Sequence, residues 1–236
     1  MSRTLAFSRY LSELGWDVRV LTVRPSAYED VEPDNERLVS ESVTVERAWG
    51  VDTRRHLSLF GRYPLMLAIP DRWQSWILGA YLKGSHIIRE WMPDAIMSTY
   101  PIPSAHLIGY LLQRRFSLPW VADFRDPMLQ ETYPSGRTLR WAYAKIEDLV
   151  FGNAAGVIAT TEGCRKLYLD RYPDFEADRF RVISNGYDPS VFASTDGRPG
   201  ADASNGLVLL HSGVLYPHER DPTEFFRALR ALKRRN

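Results

Sequence analysis

Cysteine is almost absent from the sequence, since Cys164 is the only one among 236 residues. A single cysteine forms no internal disulfide, which agrees with a protein that works in a reducing compartment. We expect Cys164 to be a small residue of the hydrophobic core.

Long hydrophobic segments and an excess of one charge are also missing. No apolar stretch approaches the roughly 20 residues that cross a bilayer, and residues 1–4 lack the apolar core of a signal peptide. The 30 basic and 29 acidic residues leave a formal net charge of +1, so no overall field attracts nucleic acid or an anionic membrane. We expect a cytoplasmic protein that binds no nucleic acid and touches the inner face of the membrane only through a local surface.

Three common catalytic and nucleotide-binding motifs are absent as well. The sequence contains neither the phosphate-binding G-x-x-x-x-G-K-[ST] nor the dinucleotide-binding G-x-G-x-x-G. It also lacks the G-x-S-x-G turn that presents the nucleophile of a serine hydrolase. These absences argue against a P-loop enzyme, a dinucleotide-dependent dehydrogenase and a Ser–His–Asp hydrolase.

What the sequence does contain is an alternation of short apolar runs with segments of helical spacing. This alternation predicts an α/β fold, a Rossmann-like parallel sheet with helices on both faces. The predicted strands are 18–23, 43–48, 95–99, 119–124, 156–160 and 181–184, and the predicted helices are 5–14, 73–91, 104–116, 136–151 and 162–172. Because the chain opens on a helix that feeds a parallel strand, the strand expected before that helix is missing.

The composition predicts two domains of unequal size. Residues 194–206 are rich in Gly, Ser and Asp and have almost no apolar side chains, as is typical of a linker. We therefore assign 1–193 to a first domain without its first strand and 207–236 to the first βα unit of an incomplete second domain. That unit is predicted to have a strand at 207–211 and a helix that carries Phe225 and Phe226.

In a parallel sheet, ligands bind beyond the carboxyl ends of the strands, so the residues that follow each strand are candidates for chemistry. Asp123, Arg125 and Asp126 cluster at one such end. A simple alternative is that Arg125 pairs with Asp123 or Asp126 and orders the loop. Two carboxylates without a third ligand are weak evidence for a metal, and we predict no metal site.

Three further positions follow strands. His106 lies near the start of a helix, where it either lines the crevice or faces solvent. Thr161 is a candidate helix N-cap. Asn185 precedes a glycine, and this pair is predicted to supply a positive φ at a hinge or a ligand contact.

The tail carries one more candidate. Gly213 follows a predicted strand, Arg220 follows seven residues later, and a helix start comes directly after it. A glycine that lets backbone approach, a guanidinium and a helix N-terminus together suit a diphosphate.

Five stretches, in their order and spacing, resemble the family 4-like glycosyltransferases with the two-Rossmann-domain (GT-B) fold. They are residues 93–96, 118–126, 157–161, 182–188 and 213–222. The resemblance covers nearly the whole chain, as the N-terminal domain plus the start of the C-terminal domain. It implies a hexosyltransferase of polysaccharide biosynthesis. This enzyme moves a sugar from a nucleoside-diphosphate sugar to a glycan or lipid-linked acceptor, with retention and with no cofactor or obligatory metal.

The resemblance also implies roles for single residues. Gly213 and Arg220 match the positions that meet the donor diphosphate, and Asp123, His106, Thr161 and Asn185 fall in the acceptor-side crevice. Arg125 stands where many members have a histidine beside the reacting sugar, and Val214 stands where many have an arginine. The paired glutamates that bind the donor would lie beyond Asn236, so we expect this chain alone to be inactive.

Two alternatives to a glycosyltransferase remain open at this stage. One is a sugar-nucleotide epimerase of the same fold, and the other is a non-catalytic module that binds a glycan or a partner chain. A membrane contact is predicted from arginines and large apolar residues between 54 and 76, which alternatively are solvated arginines and core aromatics. They are Arg54, Arg55, Phe60, Arg62, Tyr63, Leu65, Arg72, Trp73 and Trp76.

Overall fold

The computed structural model describes residues 3–31, 37–60, 62–187, 209–211 and 221–234. The chain divides into two units, residues 1–188 and 189–236, and each is described by itself. The predicted linker at 194–206 lies outside the described residues.

The described residues of the first unit contain six strands, all of which pair in parallel. They are β1 (Val18–Val23), β2 (Val43–Ala48), β3 (Ile96–Thr99), β4 (Trp120–Arg125), β5 (Gly156–Ala159) and β6 (Phe180–Val182). The prediction of a parallel α/β fold is therefore confirmed. The strands form two sheets, β1–β2 and β3–β4–β5–β6.

Seven α-helices lie in the described parts of the chain. They are α1 (Arg3–Glu13), α2 (Thr53–His56), α3 (Trp76–Trp91), α4 (Pro103–Phe116), α5 (Arg137–Asn153), α6 (Glu162–Arg171) and α7 (Thr223–Lys233). Short 3₁₀ turns occur at Pro25–Ala27, Leu65–Ala68 and Ala177–Arg179. Among the helices of these described ranges, none is long and apolar enough to cross a membrane.

The described residues of the first unit form two apolar cores. In the first core, α3 packs on β1 and β2, and α4 packs on α3 and β3, through residues such as Ala80, Ile88 and Leu112. The second core is aromatic: Phe124 of β4 stacks on Phe151 of α5, with ring centroids 5.6 Å apart. Cys164 lies in this core as predicted, and its burial raises the pKa of the thiol to about 12.

Glu147 of α5 is fully buried at the edge of the aromatic core. Its carboxylate accepts hydrogen bonds from Arg171 Nη1 at 2.6 Å, the Tyr168 hydroxyl at 3.0 Å and the Leu129 amide at 3.1 Å. Burial raises the pKa of Glu147, and the charge of Arg171 partly opposes this rise. One carboxylate thus joins α5, α6 and the loop after β4.

Gly109 of α4 lies directly against β4, and we expect Gly109→Ala to be destabilising. A Cβ there would sit 2.6 Å from Trp120 Nε1 and 3.1 Å from Ser98 Oγ. Because Trp120 and Ser98 are buried, we expect a loss of about 1–3 kcal/mol in the free energy of unfolding, measured with urea. Gly152 of α5 has no atom within 4 Å of its Cβ position, so Gly152→Ala is the control. It is expected to gain up to about 1 kcal/mol, and equal losses at both glycines would contradict the packing argument.

In the second unit the structure describes α7 and residues 209–211. The helix begins after Asp221, whose side chain accepts hydrogen bonds from the Thr223 amide at 3.0 Å and the Thr223 hydroxyl at 2.6 Å. These bonds lower the pKa of Asp221. Of the predicted strand at 207–211, residues 209–211 form no strand, and 207 and 208 lie outside the described residues. The predicted helix with Phe225 and Phe226 is present.

Candidate functional site

The carboxyl edge of the four-stranded sheet brings the predicted residues of the first unit to one side of the molecule. Because the four strands are parallel, the residues after β3, β4, β5 and β6 follow neighbouring strand ends. Tyr100, Asp126, Thr161 and Asn185 occupy these positions. This edge is the place where an open α/β sheet binds its ligands.

Asp123, near the end of β4, is fully buried and is held by an arginine that the sequence reasoning missed. Arg3 of α1 donates from Nε to Oδ2 at 2.9 Å and from Nη2 to Oδ1 at 3.1 Å. The Thr99 hydroxyl donates to Oδ2 at 2.9 Å. Asp123 is therefore a buried anchor for α1, and the expected pairing of Arg125 with Asp123 was wrong.

Arg3 also reaches the loop after β6. Its Nη1 atom lies 3.4 Å from the Ser184 carbonyl oxygen and 3.3 Å from Asn185 Oδ1. The guanidinium lies over the Phe7 ring at 4.8 Å, on the core-facing side of α1. A signal was present in the sequence, because Arg3 stands four residues before Phe7 and so shares its helical face.

Arg125 ends β4 in an unusual backbone conformation. Its φ is 60°, the left-handed region that costs a non-glycine residue roughly 1–2 kcal/mol. The pairing of β4 with β5 shifts register between Asp123 and Arg125, and the Arg125 carbonyl accepts hydrogen bonds from Thr160 Oγ1 at 2.7 Å and the Thr160 amide at 3.2 Å. Strained residues of this kind concentrate at active sites and ligand contacts.

The Arg125 side chain is half-buried, and its Nη1 atom lies 3.4 Å from the Tyr100 carbonyl oxygen. Within the described ranges, Arg125 forms no ion pair with a carboxylate, and neither does the exposed Asp126 beside it. The edge of the sheet therefore presents a guanidinium and a carboxylate on adjacent residues, both with capacity left for a ligand.

A group of tyrosines lies next to these two residues. Burial raises the pKa of Tyr100, and Tyr133 and the negative charge of Asp126 raise it further. The pKa of Tyr143 is raised in the same way, first by burial and then by Tyr133 and Tyr100. Both hydroxyls stay protonated at neutral pH, so each is able to donate a hydrogen bond.

Thr161 and Asn185 lie at the same edge but have local roles in the fold. The Thr161 hydroxyl accepts a hydrogen bond from the Cys164 amide at 3.1 Å and caps α6, as predicted. Asn185 is exposed and contacts Arg3. The predicted positive φ at Asn185 and Gly186 was wrong, because neither residue is in the left-handed region.

His106 lies in the core rather than in the crevice or in solvent, so both expectations for its position were wrong. It is completely buried, and its Nδ1 atom lies 2.8 Å from Ser98 Oγ, which also accepts the Trp120 indole N–H at 2.8 Å. Burial lowers the pKa of His106 to about 3. The helical spacing of residues 105–112 includes position 106 only at the margin of the apolar face, and that is why the sequence did not reveal its burial.

Gly213 and Arg220, the predicted diphosphate contacts, lie outside the described residues. Across the ranges that are described, no cluster of three His, Cys, Asp or Glu side chains has the geometry to hold a metal.

Comparison with known proteins gives one family match and several distant structural likenesses. Residues 2–186 match the family described as glycosyl transferase 4-like domain. The crystal structure of Anabaena Alr3699/HepE in complex with UDP-glucose is 15% identical, with a TM-score of 0.45, over 74% of this chain and 45% of that one. A crystal structure of UDP-N-acetylglucosamine 2-epimerase is 11% identical, with a TM-score of 0.39, over 77% of this chain and 55% of that one. The chain thus spans about half the length of these structures, and no curated protein matches it.

Proposed function

The chain belongs to the glycosyl transferase 4-like domain family, and from this membership we propose that it forms the acceptor side of a glycosyltransferase. The donor is a nucleoside-diphosphate sugar, and the acceptor is a glycan or a lipid-linked glycan. The reaction is a hexosyl transfer with retention, without an obligatory metal or other cofactor.

The observation that best supports a catalytic site at the sheet edge is the state of Arg125. Its guanidinium has no carboxylate partner in the described part of the chain, and its backbone is held at a φ of 60°. A strained backbone conformation persists only where the surrounding structure holds it in place, and such residues are common at active sites. A fixed cation at the mouth of the sheet is suited to stabilise negative charge that develops in a transition state.

The proposed chemistry assigns a role to each of the two adjacent groups. The bond between the anomeric carbon and the diphosphate oxygen breaks, and the acceptor hydroxyl oxygen bonds to the same carbon. The hydroxyl proton passes to the departing diphosphate. Arg125 lies beside the reacting sugar and stabilises the charge of the leaving group, while Asp126 accepts a hydrogen bond from a sugar hydroxyl. Asp123 positions α1 through Arg3 and does not touch the substrate.

Arg125→Gly is expected to remove activity without loss of stability. Glycine adopts a positive φ freely, so the variant keeps the backbone and removes only the side chain. Measured in a version extended through its natural reading frame, kcat/KM is expected to fall about 10²–10³-fold. Ser117 is exposed at the end of α4 with a φ of 56°, so Ser117→Gly is a matched control that should keep full activity.

The proposal is tested first by binding and transfer with a panel of nucleoside-diphosphate sugars. Both the 236-residue chain and the extended version are assayed, with and without a glycan acceptor. Transfer by the extended version alone supports the proposal. An epimerised nucleotide sugar formed without acceptor would instead identify an epimerase, and failure of both versions to bind any donor would leave the glycan-binding module.

We also propose that residues 54–67, here called the basic apolar loop, touch an anionic membrane surface. The segment from 53 to 68 contains three arginines and no acidic residue. Phe60 is 96% exposed and Met66 79% exposed, and Leu57, Leu59, Leu65 and Leu67 are exposed beside them. Exposed apolar side chains interleaved with arginines are typical of surfaces that insert into the headgroup region of a bilayer.

Three residues from the predicted membrane surface do not belong to this loop. Trp76 is buried in the first core. Trp73 is half-buried and donates its indole N–H to the Ala27 carbonyl at 3.2 Å. Arg72 lies over the Trp73 ring and pairs with Asp52 at 3.3 Å. The proposed surface is therefore limited to the exposed loop, with the protein on the cytoplasmic side of the membrane.

Replacing Arg54 and Arg62 by glutamine is expected to weaken binding to phosphatidylglycerol-containing vesicles about 30-fold. Each arginine near an anionic surface contributes about 1 kcal/mol, and both are exposed. Flotation at low salt measures the effect. The double variant Arg114→Gln/Arg137→Gln, which removes two exposed arginines elsewhere, is expected to bind normally. Equal weakening by both double variants would contradict a specific role for the loop.

A further inference from the structure

Three tyrosines lie beside Arg125 and Asp126 at the carboxyl edge of the four-stranded sheet, and the proposed chemistry uses none of them. Tyr100 follows β3, Tyr133 lies in the loop between β4 and α5, and Tyr143 lies on α5. The Tyr133 and Tyr143 rings meet edge to face, with their centroids 6.2 Å apart. Tyr100 and Tyr143 are buried in the aromatic core, whereas Tyr133 is 44% exposed. One side of the group therefore reaches solvent.

The group lies close enough to the end of β4 to share a ligand with it. Arg125 Nη1 lies 3.4 Å from the Tyr100 carbonyl oxygen. Burial raises the pKa of Tyr100, and both Tyr133 and Asp126 raise it further. Because a charge has such an effect mainly within about 4–6 Å, the Tyr133 hydroxyl and the Asp126 carboxylate lie near the same Tyr100 hydroxyl.

The exposed ring of Tyr133 is positioned by its own backbone. The Gln130 amide donates to the Tyr133 carbonyl at 2.8 Å, which closes a tight turn. From α5, Arg140 Nη1 donates to the carbonyls of Gln130 at 2.9 Å, Tyr133 at 3.1 Å and Pro134 at 3.4 Å. Pro134 is buried under this turn. A ring that is positioned before a ligand arrives loses little conformational entropy on binding.

A flat aromatic face, a protonated hydroxyl and a carboxylate are together suited to a sugar ring. The C–H bonds of a pyranose form an apolar face that packs on an aromatic ring, and tyrosine supplies such a face with few rotatable bonds. Sugar hydroxyls donate hydrogen bonds to a carboxylate and accept them from a phenol. Tyr133 has the exposed ring, Asp126 the carboxylate and Tyr100 the hydroxyl. The group therefore has the contacts that one monosaccharide unit requires.

Negative charge beside this group determines which sugars fit. Residues 126–136 contain Asp126 and Glu131 but no lysine or arginine, and both acidic residues are exposed. Like charges brought together in a binding site disfavour an anionic ligand. Arg125 is the cation at this edge, and the proposed chemistry places it against the departing diphosphate. A phosphate or carboxylate on the bound ring would therefore face carboxylates.

We propose that Tyr133, Tyr100 and Asp126 form the subsite for the accepting sugar ring, and that this ring is uncharged, a hexose or N-acetylhexosamine without phosphate or carboxylate. Tyr133 packs on the C–H face of the ring. The Tyr100 hydroxyl donates to one ring hydroxyl, and Asp126 accepts from another. The role of this ring as acceptor rests on the proposed function, whereas the binding of a neutral sugar here does not require transfer.

The test measures binding of simple glycosides to the 236-residue chain by saturation-transfer NMR. The probes are the methyl glycosides of glucose, galactose, mannose and N-acetylglucosamine, with the 6-phosphate of the sugar that binds best. We expect Tyr133→Ser to weaken binding of the neutral glycoside about tenfold. Trp141→Ser removes another exposed ring, 62% exposed on α5, and is expected to leave binding unchanged. The 6-phosphate should bind about tenfold more weakly than the neutral form, and Glu131→Gln should narrow this difference.

Three results would overturn the subsite. They are equal weakening by Tyr133→Ser and Trp141→Ser, tighter binding of the 6-phosphate than of the neutral sugar, and no detectable binding of any neutral glycoside.

The extended version separates this inference from the proposed function. If it transfers sugar and Tyr133→Ser leaves the KM for the acceptor unchanged, the subsite is wrong and the proposed function stands. If a glycoside binds at Tyr133 and neither version binds a nucleotide sugar, the proposed function is wrong and the subsite belongs to a glycan-binding module.

Discussion

Replacing Arg3 by methionine is expected to lower the free energy of unfolding by about 3–5 kcal/mol, because it leaves the Asp123 carboxylate buried without its cation. Asp123 is completely buried, and two of its hydrogen bonds come from this guanidinium. Methionine keeps the apolar length of the side chain against Phe7, so the change removes mainly charge and hydrogen bonds. Urea unfolding followed by fluorescence measures the loss.

A surface pair provides the control for this prediction. Lys145 and Asp148 are 3.0 Å apart with both side chains more than half exposed, so Lys145→Met is expected to change stability by less than about 1 kcal/mol. The double variant Arg3→Met/Asp123→Leu removes the stranded charge and should recover part of the loss. Equal losses of unfolding free energy in Arg3→Met and Lys145→Met would show that the buried Asp123 carboxylate does not need the Arg3 cation.

The second large effect is a loss of stability in acid that depends on His106. Burial lowers the pKa of this histidine to about 3, below its usual value of about 6.5 in an unfolded chain. Its contribution is therefore fully present above pH 6.5 and is lost as the pH falls toward 3, because the unfolded chain takes up a proton that the folded chain excludes. Linkage gives a loss of about 3 kcal/mol between pH 7 and pH 4.

His106→Gln is expected to remove this part of the pH dependence. Glutamine retains an oxygen that can accept the Ser98 hydroxyl proton but does not titrate. The measurement is the difference in unfolding free energy between variant and wild type at several pH values, since the carboxylates contribute equally to both. His86, an exposed residue paired with Glu90 at 3.2 Å, provides the control variant His86→Gln. A constant difference for His106→Gln from pH 7 to pH 4 would refute the assignment.

The sequence predicted the order of strands and helices well, because the spacing of apolar residues along the chain distinguishes a helix from a buried strand. The boundaries of β1 and β2 agree with the predicted 18–23 and 43–48, and the other predicted elements of the first unit agree within a few residues. The break between β1 and β3 was not predicted, since pairing of distant strands leaves no local pattern.

The site was predicted less completely, for reasons that concern tertiary contacts. The cluster at 123–126 was correctly placed at a strand end, but its ion pair joins residues 120 positions apart, and charge alone does not identify such a partner. His106 is buried because the rings of Trp120 and Phe124, which belong to the distant strand β4, pack against it. The left-handed φ of Arg125 follows from the bulge between neighbouring strands, which has no sequence signal at an arginine.

Glu147 has a consequence for motion at the candidate site. The loop that begins after Asp126 is fixed to the rest of the fold at its second and third residues. The Met128 amide donates to the Tyr168 hydroxyl at 2.9 Å, and the Leu129 amide donates to the Glu147 carboxylate. Opening of this part of the loop requires breaking its bonds to the buried Glu147 carboxylate and to Tyr168, so we expect it to move with α5 and α6. If the loop moves to open or close the crevice, the moving residues are therefore those after Leu129. The start of the loop, next to Arg125, is expected to stay fixed.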